Sequence, residues 1–144
     1  MADKLTLEER SRIMAKVKSR NTKPEKKVRS LLHKMGYRFR LHRKDLPGKP
    51  DIVLPKFHAA IFVHGCFWHG HTGCRRSVRP TSNVGFWNAK LDNNQRRDAE
   101  AIEKTQLLGW KPFVIWECET RDLEALETQI KRFMKKGMED TIND

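Results

Sequence analysis

No apolar stretch in this 144-residue sequence approaches the roughly 20 residues a membrane-spanning helix needs, and its first residues are charged rather than signal-like. A cytoplasmic protein without membrane spans is expected. Cysteine is scarce: there are three, which cannot all pair within one chain. A reducing compartment favours free thiols, so metal ligation explains them better than a disulfide framework. Internal repeats and low-complexity segments are missing, and at this length the expectation is a single domain around one core. Acids are outnumbered, 18 against 30 Lys and Arg, for a net charge of +12. The excess is local, because residues 1–50 hold 16 Lys/Arg and 5 Asp/Glu, a balance of +11 that leaves +1 for the remainder. A basic third of this kind attracts polyanions, usually nucleic acid and less often a membrane surface.

Against this background one stretch is crowded. Phe62-Val-His-Gly-Cys-Phe-Trp-His-Gly-His-Thr-Gly-Cys74 holds half of the histidines and two of the three cysteines. The apolar run Ala59 to Val63 feeds it and ends at Gly65, which predicts a cluster at the mouth of a strand. Cys66, His71 and Cys74, spaced Cys-x4-His-x2-Cys, carry the soft donors that zinc favours, and tetrahedral zinc wants a fourth ligand. Cys118, just past Phe113-Val-Ile-Trp116, suits that role from a neighbouring strand. The other reading makes it an inert thiol and the pair a chance cluster or a redox pair. His64 and His69 stand outside this set, with Phe67 and Trp68 between them. Such aromatics are more often core, and a lone histidine is more often structural, but Gly65 and Gly70 argue for a loop.

Thr6-Leu-Glu-Glu9 has the pattern of a capping box, predicting a helix to about Ser19 with Leu7, Met14 and Val17 as scattered apolar positions among basic ones. Residues 1–20 are therefore either a basic arm lying on DNA or a solvated basic helix. Thr22-Lys-Pro-Glu25 is a second capping box, followed by Val28, Leu31, Leu32 and Met35 at helical spacing and closed by Gly36. Capping alone suffices to explain Glu25. Tyr37, Phe39 and Leu41 alternate with basic residues as in a half-buried strand. Asp51 to Leu54, a turn at Pro55 to His58, and Ala59 to His64 form an expected hairpin. Pairing Leu54 with Ile61 would bring Asp51 opposite His64 on one face. An aspartate opening a buried strand is a turn cap or a metal ligand, and the preceding proline and facing histidine favour a hard cation such as magnesium. A loop region spanning residues 65–82 follows, basic from Arg75 to Arg79, and then a helix from about Asn83 to Leu108 with Phe86, Trp87, Leu91, Ala101, Ile102 and Leu108 inward. Its Lys90, Asn94, Arg97 and Asp98 are a solvated face or a line of DNA contacts. Lys111 to Glu117 is a buried strand, Leu123 to Met134 a closing helix, and 137–144 a frayed acidic tail. The fold class is α/β: one domain, residues 21–136, with a central mixed sheet flanked by helices.

The order helix, strand, hairpin, helix, strand, with an aspartate after proline at the hairpin, resembles the restriction-endonuclease-like nuclease core, a fold that hosts many functions. More specific are Asn21-Thr-Lys-Pro-Glu25, Leu46-Pro-Gly-Lys-Pro-Asp-Ile-Val53, Phe62-Val-His-Gly-Cys-Phe-Trp-His69, Gly109-Trp110 and Trp116-Glu-Cys118. Together, over about Ser11 to Arg121, they resemble the very-short-patch-repair (Vsr-type) DNA mismatch endonucleases. That resemblance implies nicking of one strand 5' of the thymine in a T:G mismatch arising from 5-methylcytosine deamination. The implied partner is double-stranded DNA, with a functional link to a cytosine-5 DNA methyltransferase and a mismatch-repair protein as a further candidate. It also implies a monomer in a bacterial-type, nucleoid-associated setting. Asp51 would hold magnesium with the Val63 carbonyl, Glu25 and His64 would hold its waters, and His69 would be the general base. Cys66, His71, Cys74 and Cys118 would hold structural zinc. Phe67 and Trp68 would enter the base stack, Met14 and Val17 would brace from the other groove, and Lys90, Asn94 and Asp98 would contact DNA. Most nucleases of this core carry an acid and a lysine where this chain has Phe62, Val63 and His64, which places more weight on His69. Gly73 absorbs a one-residue difference in loop length before Cys74.

Two other functions fit parts of the pattern. A restriction endonuclease of the same fold would cut both strands of an intact site. A zinc-stabilised DNA-binding module would have no need of Asp51, His64 and His69 together.

Overall fold

The computed structural model describes residues 21–143, the side chains of 136–143 excepted. The predicted arm, with Met14 and Val17, lies outside the described residues. Helix α1 spans Lys23–Lys34 and starts where the capping box predicts: Thr22 is the N-cap, its hydroxyl accepts the Glu25 N–H at 3.3 Å, and a proline sits in the first turn. Val28, Leu31 and Leu32 on one stripe are buried. The chain turns at Gly36, whose φ of +88° suits glycine.

Four strands form one sheet in the order β1-β2-β3-β4: β1 Arg40–Leu41, β2 Ile52–Leu54, β3 Ala59–His64 and β4 Lys111–Trp116. The first two pairings are antiparallel and β3–β4 is parallel, so the sheet is mixed. A parallel pair needs a long crossover, and here it consists of the Cys/His loop and helix α2, Val84–Leu107. Helix α3, Leu123–Asn143, closes the fold. Ile52, Leu54, Ala59, Ile61 and Ile115 pack with Val28, Leu31 and Leu32 of α1 and Leu126, Ile130 and Met134 of α3 into one core. Strand alternation turns Phe62 and His64 to the opposite face. There Gly48 lies so close to α2 that an added Cβ would come within 2.4 Å of Ala101 Cβ and 3.2 Å of Phe62. That second face carries the chemistry.

Several expectations need correction. β1 is two residues long; Tyr37 and Phe39 do pack on the core, but Leu41 is 40% exposed. The hairpin pairs Leu54 with Ala59, not Ile61, because a 3-10 turn at Pro55–Phe57 and a left-handed His58 (φ +50°) close it tightly. Asp51 is thus level with Phe62 rather than His64. On α2, Trp87 and Leu91 are buried, but Phe86 and Leu108 are exposed. The helix packs through a narrow stripe that runs on to the buried Thr105, while Leu107 at its end faces solvent. β4 stops at Trp116, and Glu117–Arg121 forms a 3-10 segment that carries Cys118. The last helix does not end near Met134 but runs to Asn143, since no proline interrupts residues 135–143 and one interior glycine, Gly137, costs only about 1 kcal/mol.

Candidate active site

A cleft of about 590 Å³ opens on the α2 side of the sheet and is lined by Asp51, Val63, His64, His69 and Asp98, together with His42, Lys44, Lys49 and Arg97. A larger groove of about 770 Å³, between Gly36–Arg40 and Pro55–Phe57, has no comparable cluster of acids and imidazoles.

Asp51 enters from the residue before β2. Its Oδ2 accepts the Val63 N–H at 2.7 Å, which ties it to β3 in place of the predicted meeting with His64. Burial pushes its carboxyl up to about 6; the Val63 N–H opposes the rise and the nearby Glu25 charge adds to it. Glu25 is 1% exposed, and its Oε1 accepts from both Arg29 and His42 at 2.5 Å, while Oε2 accepts the Asn21 N–H at 2.7 Å. Burial works against its charge, but the bonds from Arg29 and His42 outweigh it and hold the group below the ordinary carboxylate range. Glu25, predicted as a capping acid, therefore reaches well beyond its helix. One ligand atom from each of Glu25, His42 and Asp51 falls within 4.8 Å of the others.

His64 is 6% exposed at the end of β3, with its ring 4.0 Å from that of His69 and nearly parallel to it. Burial, followed by the His69 charge, presses His64 down to about 4, so it stays neutral near pH 7. His69 Nδ1 lies 2.6 Å from Asp98 Oδ2. A carboxylate only accepts, so Nδ1 carries the hydrogen, and in the neutral ring that leaves the lone pair on Nε2.

The loop that carries His69 is fastened to α2 at three successive residues. Asn94 Nδ2 donates to the Trp68 carbonyl at 3.0 Å, Asp98 accepts from His69, and Gln95 Nε2 donates to the Gly70 carbonyl at 3.3 Å. Asn94 and Asp98, expected to contact DNA, are thus engaged with the protein's own loop, while Lys90 is half-buried on the same helix. Phe67 and Trp68 are half-buried and pack on each other and on Trp87, at ring distances of 5.0, 5.4 and 6.0 Å. They stand outside the core of α1, α3 and the sheet, on a separate aromatic cluster.

Donor atoms of Cys66, His71, Cys74 and Cys118 converge within 4.8 Å of one another. Tetrahedral zinc, with bonds of about 2.0–2.3 Å, sets its donors roughly 3.4–3.8 Å apart. His71 Nδ1 is 3.4 Å from Cys118 Sγ, so the residues fit such an ion with little movement. The Cys118 N–H donates to Cys66 Sγ at 3.4 Å, and Ser77 Oγ donates to the His71 and Cys74 carbonyls. Burial pushes the Cys66 thiol up to about 12 and raises Cys118 as well, while the Arg76 N–H lowers Cys74. The predicted extra residue sits at Gly73, at φ +75° with open space around it. The His71 ring stacks at 4.2 Å on Trp116, which also meets the His64 ring edge-on, so one indole joins the two clusters.

His42 and Trp87 were not among the predicted site residues. Alternation assigned His42 to the outer face of β1, but its left-handed backbone (φ +49°) breaks that alternation. Trp87 was assigned to the core stripe. Its pattern is correct, but its neighbours come from a loop that periodicity does not reach. Lys44 and Lys49 supply lysines to the cleft from the loop before Asp51, not from β3 where the fold usually has one.

Residues 2–76 match the family described as DNA mismatch endonuclease Vsr. The type II nicking enzyme V.XorIIP of Xanthomonas oryzae pv. oryzae is 51% identical over 134 residues, spanning 93% of this chain and 98% of its own length. The DNA mismatch endonuclease Vsr of Escherichia coli is 40% identical over 126 residues, 88% of this chain and 80% of its own. In structure, the catalytic domain of the homing endonuclease I-Bth0305I aligns over 81% of this chain and 98% of that one, with a TM-score of 0.57 and 20% identity, a likeness of fold.

Proposed function

Because the chain belongs to the Vsr family of DNA mismatch endonucleases, we propose that this DNA endonuclease nicks one strand 5' of the thymine in a T:G mismatch left by 5-methylcytosine deamination. The product would enter very short patch repair, in functional partnership with a cytosine-5 methyltransferase. The observation that carries the reading is one cleft joining Asp51, His64 and the His69–Asp98 pair, flanked by a loop that holds Phe67 and Trp68 against Trp87. Relatives named nicking enzymes support cleavage of a single strand.

Asp51 with the Val63 carbonyl is the set that would hold magnesium: oxygen donors suit a hard cation, and Val63 N–H occupies only one carboxylate oxygen. When bound, the ion would offset charge developing on phosphate oxygens. The protein's own groups do the rest. His69 accepts the proton of the attacking water at Nε2, and Asp98 fixes the ring for that task through Nδ1. His64 stays neutral against the face of His69 and adds no second positive charge when His69 takes the proton. Lys44, Lys49 and Arg97 draw the phosphate backbone into the cleft. Phe67 and Trp68 wedge into the base step, which opens more readily at a wobble pair than at a Watson-Crick pair. Cys66, His71, Cys74 and Cys118 would hold zinc, and when bound it would fix the loop carrying both wedge and base. Residues 1–20, with Met14 and Val17, would brace the DNA from the other groove.

The test is magnesium-dependent cleavage of an end-labelled duplex with one T:G mismatch, beside matched T:A and C:G controls, in several flanking sequences. A nick beside the mismatched thymine alone is expected. Cutting of both strands of the matched duplex would replace this reading with a restriction endonuclease, and binding without cutting would leave a zinc-stabilised binding module.

A further inference from the structure

We propose that His42 is a positioning residue: by holding Glu25 beside Asp51 it sets how tightly the cleft takes its divalent cation, a role that rests on the reading of Asp51 as a metal ligand. Three observations converge on it. The His42 N–H donates to the Asp51 carbonyl at 3.1 Å, so its backbone is tied to the residue that carries the proposed ligand. Its φ of +49° is a conformation that residues with a side chain adopt at a cost, one that surrounding structure must over-determine. Its Nε2 lies 2.5 Å from Glu25 Oε1, and since an ionised carboxylate only accepts, Nε2 donates.

The other bonds to Glu25 come from its own neighbourhood in sequence. Arg29 is one turn further along α1, and the Asn21 N–H lies just before the helix. They neutralise the acid without fixing it against the sheet. His42 supplies the bond from the sheet side, spanning 17 residues of sequence. Two carboxylates held within 4.8 Å of each other repel, and the Glu25 charge is felt at Asp51. A donor that holds one acid in place by a bond, and whose own charge eases the other, leaves a pre-set pair for a cation. Groups that orient metal-binding residues in this way typically change affinity by about 10–100-fold when removed.

The experiment titrates Mn²⁺, an oxygen-seeking and EPR-visible probe, into zinc-replete wild type, His42→Ala and His42→Gln, and measures nicking against Mg²⁺ concentration in parallel. For His42→Ala, Mn²⁺ affinity should fall about tenfold, and the Mg²⁺ needed for half-maximal nicking should rise by a similar factor. The rate at saturating Mg²⁺ should change much less. His42→Gln, which retains an N–H for Glu25, should recover most of both shifts. Unchanged Mn²⁺ affinity in His42→Ala overturns the proposal, as does a wild type that binds no Mn²⁺. So does a fall in thermal midpoint for both variants with the affinity of the folded protein intact. If the wild type fails to nick T:G duplexes while its Mn²⁺ binding still depends on His42, the substrate reading fails and this one stands.

Discussion

A buried carboxylate and a buried imidazole within one cleft pull stability in opposite directions as pH changes. Asp51 keeps its proton up to about 6 in the folded chain against an ordinary 3.8, so between those values the folded state binds more protons and stability falls as pH rises. His64 loses its proton near 4 instead of 6.5, so across that window the unfolded state binds more and stability rises with pH. Asp51→Asn removes the first slope. In magnesium-free protein it should stabilise by about 1–3 kcal/mol at pH 7.5 relative to wild type, with the gain fading toward pH 4. Urea unfolding at both pH values checks this, and an equal gain at each would remove charge burial as its cause. The same substitution should abolish nicking. At the neighbouring dyad, His69→Ala should lower the nicking rate by roughly 10²–10⁴. Asp98→Ala should lower it by less, because it removes only the group that orients the base. Single-turnover rates on the mismatched duplex decide the order, and a larger loss for Asp98→Ala would contradict it.

At the level of elements, what could be recognised in the sequence was whatever depends on near neighbours. Thr22 to Glu25 announced α1, alternation and apolar runs announced the strands, and Gly65 and Gly70 marked the loop. Cys118 was expected as the fourth member of the cysteine-histidine cluster, and the fold does bring it there on the segment after β4. The hairpin register was not recoverable, because whether Leu54 pairs with Ala59 or Ile61 depends on a 3-10 turn and one left-handed histidine rather than on hydrophobic pattern. His42 was missed for the same reason, and Asp98 met His69 only through folding across 29 residues. The cysteine cluster carries a prediction at this scale. Cys118→Ala should lower folded yield and zinc content together, since metal binding and folding are coupled. Stoichiometric zinc by atomic absorption in a well-folded variant would mean that Cys118 is not a ligand.

Across the whole molecule the charge is lopsided, and residues 1–20 alone contribute six of the 30 Lys and Arg. Removing them should flatten the salt dependence of DNA binding, reducing the slope of log affinity against log salt by about 3–5. An unchanged slope, measured by fluorescence anisotropy on matched DNA, would mean that the segment does not lie on phosphates. No helix among the described residues is long and apolar enough to cross a membrane. The three bonds that join Asn94 to Trp68, Gln95 to Gly70 and His69 to Asp98 bind loop and helix into one body. If Phe67 and Trp68 insert as proposed and His69 takes the proton, the aromatic tip and the proton acceptor are two marks on a single ruler: the depth to which the tip enters the duplex would fix how far the acceptor stands from the backbone. On that reading there would be no separate checkpoint between reading and cutting, and discrimination would have to be complete at the moment of insertion.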